Sequence, residues 1–322
     1  MLKRWLVAAA ACAALGFGNA HPAAADDHIR VSNAAPASAF YAALYLGIDK
    51  GIFKKYQLDV EPIDIFGPAK SQEAMTAGSI DFELGSGTEL VFVAKGVKEL
   101  CVADVVGPPT LVDVVVAKNS PIKSLADLKG KTISIISVGS LTEWLAKEIS
   151  RRQGWGDDGV KVQAVGSAAA QTAMLQTGQV DASIIEISSA RILADKGQAR
   201  IIASGRDIAP NFVTHAIFAS KAMIDDHPDV VRRFLAAWFE TQTYMKTHKA
   251  DAVAEIVKRL QIPDAVASAD FDTLMPDFSK DGKFSPAALN VLSQSFVQMG
   301  SLPAAPDMSK LYTESYLPPA GK

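Results

Sequence analysis

Residues 74–81 read AMTAGSID, and residues 174–181, one hundred positions later, read MLQTGQVD. In both stretches an amphipathic segment ends at a glycine, and an aspartate then precedes a short apolar run. Glycine can adopt the left-handed conformation that closes a helix, and a short apolar run is typical of a buried strand. The repeated order predicts two similar α/β lobes. The alternative is that the pattern recurs by chance, because a helix, a glycine and then a strand with an aspartate are common in α/β proteins.

Apolar runs alternate with amphipathic stretches on both sides of this repeat, which is the pattern of βαβ units and mainly parallel sheets. The elements predicted for the first lobe are strand 29–33, helix 40–50, strand 58–65, helix 70–77 and strand 81–84. Those predicted for the second lobe are strand 132–137, helix 141–153, strand 160–165, helix 168–177 and strand 181–185. From Pro228 onward, apolar stripes at helical spacing predict packed helices.

Two further strand-like runs, 111–117 and 215–219, follow the first and the second repeat. We interpret them as paired crossovers between the lobes, and hence as a hinge. The predicted division is a leader over 1–25, a first lobe over 26–117 plus 216–322 with the C-terminal helices, and a second lobe over 118–215.

The N-terminus has the order of a secretory signal peptide, because Lys3 and Arg4 precede an apolar stretch and then small residues. Ala23–Ala25 fits the cleavage rule, and cleavage after Ala20 is the alternative. The apolar stretch is shorter than the roughly 20 residues of a membrane span. Lipid modification of Cys12 is a further alternative, although no leucine stands three residues before it. The sequence therefore predicts a periplasmic protein without membrane insertion.

Composition and motifs exclude several function classes. The net charge is −3 and there is no run of basic residues, so the sequence lacks the positively charged surface that binds nucleic acid. Cys101 is the single cysteine after the leader, which excludes an internal disulfide. The five histidines show no metal-ligand spacing. The G-x-G-x-x-G of residues 154–159 follows a helix and contains two aspartates, so we read it as a turn, not a dinucleotide site. No catalytic residue, metal or cofactor is predicted.

Two capping boxes of the form S-x-x-E begin at Ser86 and at Ser140. One interpretation is that they only cap helices. The other is that they bind a ligand, because the carboxyl ends of strands border a crevice where hydroxyls and amides converge. Both interpretations stay open for Ser86 and Thr88. For Ser140 and Thr142 we prefer the ligand-binding interpretation, because Gly139 before them lets the backbone come close to a ligand.

Further candidates follow other predicted strands. Ser38 and Phe40 come after the first strand, where a hydroxyl and an aromatic ring can line a cleft. Glu186 follows the strand that ends the second repeat, and an unpaired carboxylate there would oppose an anion and attract an amine or another hydrogen-bond donor. His215 lies at the predicted hinge, where it either faces the cleft or is an ordinary surface or core histidine.

Several of these segments together resemble the substrate-binding proteins of ABC importers for nitrate, sulfonate and taurine, the NMT1/THI5-like family. The segments that carry the resemblance are 42–61, 77–82 with 85–87, and 124–133. The resemblance covers essentially the whole chain after the leader. It implies a type II periplasmic-binding-protein fold of two Rossmann-like lobes joined by a two-strand hinge. It also implies that the loops around Ser38, Ser86, Thr88, Ser140 and Thr142 hold the ligand.

The resemblance further implies a monomer that binds a small polar organic molecule in the cleft and passes it to a permease and an ATPase, without a cofactor. One departure stands out. Many relatives carry an aromatic residue and a proline where this chain has Glu186, Ile187 and Ser188, which disfavours a plain sulfonate or nitrate. Alternatives on this fold are a pyrimidine-precursor or aromatic-acid binding protein, an enzyme, and a sensory module that presents a ligand to a receptor.

Overall fold

The computed structural model describes residues 26–33, 38–65 and 67–319. The predicted signal peptide lies outside the described residues, as do residues 34–37 of the loop after the first strand. In the described part, no helix combines the length and the apolar character that crossing a membrane requires.

Two five-stranded mixed sheets form the two lobes. The first sheet has the spatial order β2 (Leu58–Asp64), β1 (Asp27–Asn33), β3 (Phe82–Ser86), β10 (His215–Ser220) and β4 (Glu99–Val106). The second has the order β7 (Lys161–Ala164), β6 (Thr132–Ile135), β8 (Ala182–Glu186), β5 (Val112–Ala117) and β9 (Ala199–Ser204). In each sheet the fourth strand is antiparallel to both neighbours and arrives from the other lobe. The predicted α/β architecture is confirmed.

Helices cover the faces of both sheets and form the C-terminal part of the chain. They are α1 (Ala42–Asp49), α2 (Ile52–Lys55), α3 (Pro68–Thr76), α4 (Leu90–Ala94), α5 (Leu141–Arg152), α6 (Ala168–Gln176), α7 (Ile187–Asp195), α8 (Gly205–Ile208), α9 (Lys221–Asp226), α10 (Pro228–Thr247), α11 (Lys249–Leu260), α12 (Asp264–Leu274) and α13 (Pro286–Gln298). Every helix and strand predicted for the two repeats is present within a few residues, whereas β4 and β9 were not predicted.

The repeat is reproduced at the level of single hydrogen bonds. The carboxylate of Asp81 accepts from the backbone N–H of Arg30 at 2.8 Å, and the carboxylate of Asp181 accepts from that of Thr132 at 2.9 Å. Each aspartate thereby ties the turn after a helix to the neighbouring parallel strand. Gly78, three residues before the first aspartate, has a φ of 69°, where a side chain would be strained. The two predicted lobes are therefore confirmed as structural repeats.

The chain crosses between the sheets at residues 107–111 and 205–214, and not through the runs 111–117 and 215–219. Those two runs are β5 and β10, which lie between strands of the lobe that the chain has just entered. A continuous apolar run suits such a central strand because both of its faces are buried. The structure thus moves the predicted lobe boundary from residue 117 to the loop before β5, and it places His215 in the first sheet.

The two crossovers are hydrogen-bonded to one another and to the C-terminal part of the chain. The N–H and the hydroxyl of Thr214 both donate to the carbonyl oxygen of Gly107, at 3.0 and 2.6 Å. The carboxylate of Asp277, in a 3-10 turn after α12, accepts from the hydroxyl of Thr110 and from the guanidinium of Arg206. One carboxylate therefore links both crossovers, and the hinge is a connected unit.

The C-terminal helices pack on both lobes, whereas the sequence had assigned them to the first lobe. Phe234 of α10 stacks on Phe82 with centroids 4.3 Å apart, and Trp238 is fully buried, as predicted for a packing stripe. On the second lobe, the indole N–H of Trp144 in α5 donates to Gln298 of α13 at 3.1 Å. This segment is therefore a bridge over the hinge.

Candidate ligand-binding cleft

The predicted site residues lie at the carboxyl ends of strands in both sheets. Ser86 is the last residue of β3, and Ser38 caps the 3-10 turn that follows β1. Ser140 caps α5 after β6, and Glu186 is the last residue of β8. In α/β sheets ligands bind outside these ends, where loops and helix N-termini are exposed. All four residues therefore lie at the sheet edges where ligands bind in α/β proteins.

Crossover residues Phe212 and Val213 bring the loops of the two lobes together. The ring of Phe212 stacks on Trp144, one turn into α5, with centroids 4.6 Å apart. The carbonyl oxygen of Val213 lies so close to Gly87 that a Cβ there would be 2.2 Å away. Two consecutive residues therefore touch the loop of Ser86 on one side and the helix that Ser140 caps on the other.

In the first lobe, the hydroxyl of Ser86 keeps its proton available. Its oxygen accepts from the N–H of Thr88 at 3.4 Å and from the hydroxyl of Thr88 at 3.1 Å. The N–H of Ser86 donates to Glu89 at 2.8 Å, which completes the capping box. A serine hydroxyl has one donor and two acceptor positions, so Ser86 can still donate to a guest while Thr88 is held in place.

In the second lobe, the hydroxyl protons are used internally. The Ser140 hydroxyl donates to the carbonyl oxygen of Ser137 at 2.7 Å, so Thr142 is the donor in the 2.9 Å bond between the two hydroxyls. The Thr142 oxygen also accepts from the N–H of Ile136 at 3.1 Å. The hydroxyl protons of Ser140 and Thr142 are thus both used in bonds to protein oxygens. The Thr142 oxygen keeps one acceptor position.

Thr142→Ala is expected to lower the free energy of unfolding by about 1–2 kcal/mol, because the partly buried N–H of Ile136 loses its acceptor. Thr142→Ser keeps that oxygen and should recover most of the loss. Urea denaturation of both variants measures the difference. An equal loss in the two variants would assign the effect to the lost methyl group and contradict the role of the hydroxyl.

Phe40, predicted to line the cleft, packs among core side chains. It is fully buried, stacks on the imidazole of His215 with centroids 4.2 Å apart, and packs against Trp238 and Phe278. The turn after β1 leads directly into the buried helix α1, so the aromatic ring joins the core. Phe40 therefore belongs to the hydrophobic core of the first lobe.

Three buried polar side chains near this wall have atoms without a hydrogen-bond partner in the described part of the chain. They are Asn33 at the end of β1, Ser38 and His215, which are 0%, 3% and 9% exposed. Burial lowers the pKa of His215 to about 4, so the ring is neutral. Buried polar atoms are nearly always paired in folded proteins. These atoms are therefore candidates for hydrogen bonds to a ligand.

Glu186 shares its surroundings with two other carboxyl groups. Burial, and then the charges of Asp270 and Asp113, raise the pKa of Glu186 to about 8. Burial also raises the pKa of Asp113 to about 6. Glu186 is partly exposed as a residue, and its carboxyl accepts no hydrogen bond from the described residues. At pH 7 the Glu186 carboxyl therefore holds a proton, so its O–H can donate a hydrogen bond and its carbonyl oxygen can accept one.

Asp270 of α12 links this wall to the C-terminal bridge. Its carboxylate accepts from the hydroxyl of Ser188, and it lies 2.9 Å from Nε of Arg191, both on α7. The guanidinium of Arg191 also donates to Thr273 at 2.7 Å. Sequence reasoning missed Asp270, Asp113 and Arg191. Asp270 and Arg191 lie on amphipathic helices, where a charged residue looks like any solvated one. Asp113 could have been noticed, because it is the one charged residue within the apolar run 111–117.

A model of the family described as NMT1/THI5 like matches residues 39–252, more than half of the chain. The chain belongs to this family. Among the described residues, no group of three or more histidine, cysteine, aspartate or glutamate side chains could hold a metal ion.

Two curated proteins are similar over about two thirds of both chains. A protein of Escherichia coli (strain K12), named as an aliphatic sulfonates-binding protein, is 28% identical over 222 residues, which are 67% of each chain. A protein of Haemophilus influenzae, named as a thiamine biosynthesis protein, is 28% identical over 218 residues, which are 66% of this chain and 67% of its own. The family thus includes relatives with different names.

Solved structures share the fold at lower identity. The periplasmic aliphatic sulphonate binding protein SsuA from Escherichia coli has a TM-score of 0.75 at 21% identity, covering 89% of this chain and 92% of its own. The desulfurization enzyme DszB has a TM-score of 0.65 at 15% identity, covering 90% and 97%. The predicted type II periplasmic-binding-protein fold is confirmed, and it occurs in a binding protein and in an enzyme.

Proposed function

We propose that this protein is an extracytoplasmic solute-binding protein of an ABC importer, which holds a small polar organic molecule between its lobes. The proposal depends mainly on the contacts that Phe212 and Val213 make with both lobes. These contacts bring the loop of Ser86 and the helix that Ser140 caps to opposite sides of one crossover. Ser38, Ser86, Thr88, Ser140, Thr142 and Glu186 are the proposed ligand-binding residues.

The relatives support this role. One is named for binding aliphatic sulfonates, and a structural neighbour is a periplasmic binding protein. The predicted leader sequence agrees with export to the periplasm, where the proposed partners are a permease and an ATPase that receive the ligand from a monomer. We propose no direct insertion into the membrane and no nucleic-acid partner.

Binding in this cleft needs lobe closure and no bond chemistry. Closure is favoured when the ligand makes contacts that only the closed state provides. The hydrogen-bonded crossovers provide a hinge for this motion.

Enzymatic turnover is the rival function on this fold, and two side chains argue for binding. The thiol of Cys101 is fully buried in the first lobe, and burial raises its pKa well above the ordinary value, so it is a poor nucleophile. The imidazole of His215 is held in an aromatic stack by Phe40 and Tyr41.

A thermal-shift screen over sulfonates, taurine, nitrate, pyrimidines and aromatic acids tests the proposal. A ligand at one hundred times its dissociation constant should stabilise the protein by about 2.7 kcal/mol. A hit that returns unchanged after incubation with the protein supports a binding role. Conversion of a hit by the protein alone, or stabilisation by none of these molecules, would contradict the proposal.

A further inference from the structure

We propose that Asp270 and Asp277 are positioning residues that hold the two lobes in their present orientation, and that releasing them lets the lobes open. Both carboxylates lie in the segment 264–278, which consists of α12 and the 3-10 turn that follows it. We call this segment the strap. The inference goes beyond the proposed function, because it concerns the motion of the lobes and requires no particular ligand.

One face of the strap belongs to the first lobe. Ala267, Phe271 and Leu274 recur at helical spacing and are buried in the hydrophobic core of that lobe. The ring of Phe278 stacks against Phe40 with centroids 6.0 Å apart. The strap also packs on α11 and on the 3-10 turn after β1. Because separating these surfaces would expose apolar area to water, the strap moves with the first lobe.

The neighbouring face of the strap bonds to α7 of the second lobe. The carboxylate of Asp270 accepts from the hydroxyl of Ser188 and lies 2.9 Å from Nε of Arg191. The hydroxyl of Thr273, one turn further along α12, accepts from the guanidinium of Arg191 at 2.7 Å. Ser188 and Arg191 are both on α7, which follows β8. Polar contacts thus tie a helix carried by the first lobe to a helix of the second.

Asp277 makes the corresponding contacts at the hinge. Its carboxylate accepts from the hydroxyl of Thr110 in the first crossover and from the guanidinium of Arg206 in the second. The Asp277 side chain is 7% exposed, so solvent screens these contacts little. The strap is therefore anchored to the second lobe at one carboxylate and to both crossovers at the other.

Opening of the lobes must break the contacts between the strap and α7, because the strap moves with the first lobe. The Asp270 side chain is fully buried, and a buried carboxylate that loses its partners is costly until water reaches it. Hydrogen bonds to charged groups are stronger than those between neutral groups. Loss of one such bond shifts an equilibrium by about tenfold or more. The two carboxylates therefore favour the present orientation over an opened one.

The distance between the lobes in the ligand-free protein tests this inference. Spin labels are attached at Lys95→Cys, after α4 in the first lobe, and at Lys161→Cys, at the start of β7 in the second. Both positions are exposed, whereas Cys101 is fully buried and stays unlabelled. Asp270→Asn combined with Asp277→Asn removes both charges with little change in size. Pulsed electron resonance should show the share of molecules at a second, opened distance rise about tenfold.

Asp272→Asn is the matched control on the same helix. Asp272 pairs with Lys249 of α11 at 2.6 Å, and both side chains are exposed, so this ion pair makes no contact between the lobes. The control should keep the distance distribution of the unsubstituted protein, because its lost ion pair lies within the part that moves with the first lobe.

Ser188→Ala tests the same contact from the second lobe, because it removes the donor to Asp270 and leaves the strap unchanged. It should raise the opened share by a smaller factor than the double variant, and it decides the matter if the double variant does not fold. An unchanged distance distribution in Ser188→Ala, or an equal rise of the opened share in Asp272→Asn, overturns the inference. The measurement uses no ligand, so either outcome leaves the proposed function to be decided by its own screen.

Discussion

Gly205→Ala is expected to lower the free energy of unfolding by about 3 kcal/mol, at the upper end of the range for overpacking. A Cβ at this position would lie 2.4 Å from the carbonyl oxygen of Pro109 and 2.9 Å from Cγ2 of Val112. Pro109 belongs to the other crossover, and its oxygen is a backbone atom that cannot rotate away. The variant must therefore push the two crossovers apart, which urea denaturation would register.

Gly107→Ala is the matched control in the first crossover. Its nearest neighbour would be the carbonyl oxygen of Phe212 at 3.8 Å, which is an ordinary contact. The extra methyl group also restricts the unfolded chain, so this variant should be neutral or more stable by up to about 1 kcal/mol. Similar losses at the two positions would contradict the close approach of the crossovers at Gly205.

The duplicated lobes could be predicted from the sequence because their signals are local. The glycine and aspartate of each repeat act on residues a few positions away or on one neighbouring strand, so the pattern around Asp81 recurs around Asp181. The ends of β3 and β8 could be located for the same reason. Positions at strand ends follow from periodicity, and the cleft edges follow from strand ends.

Features that depend on distant partners could not be predicted. Ser188 and Asp270 are hydrogen-bonded across 82 positions of the chain, and nothing in either segment indicates the other. The runs that form β5 and β10 were interpreted as crossovers, because an apolar run does not reveal which sheet it joins. The burial of Phe40 against His215 is equally non-local. Lobe membership and cleft exposure are thus properties of packing.

Three buried glutamates in the first lobe give the second large prediction. Glu83, Glu89 and Glu99 lie close together, and burial raises the pKa of each carboxyl. Gln72 donates to Glu83 at 2.6 Å, whereas neither oxygen of Glu99 is hydrogen-bonded to a described residue. A buried, unpaired carboxyl is costly to ionise. This cluster therefore makes the stability of the protein depend on pH.

Glu99→Gln is expected to raise the free energy of unfolding on the order of 4 kcal/mol at pH 8 and to change it little at pH 4.5. The pKa of Glu99 is about 8 in the folded protein and 4.5 in its ordinary state. Below pH 4.5 both states hold the proton, and as the pH rises to 8 only the unfolded state loses it, so the wild type loses stability in that window. Each pKa unit corresponds to about 1.36 kcal/mol. Urea denaturation of the wild type and the variant from pH 4.5 to 8.5 measures the difference in their free energies of unfolding.

Glu73→Gln provides the control, because it makes the same chemical change on the exposed face of α3, beside Gln72. Its effect should stay within about 0.5 kcal/mol at every pH, as for most surface substitutions. If Glu99→Gln stabilised the protein equally at pH 4.5 and pH 8, the gain would come from new hydrogen bonds of the amide, and the ionisation argument would fail. A gain that grows with pH in Glu99→Gln alone ties the stability of the first lobe to the proton on this buried carboxyl.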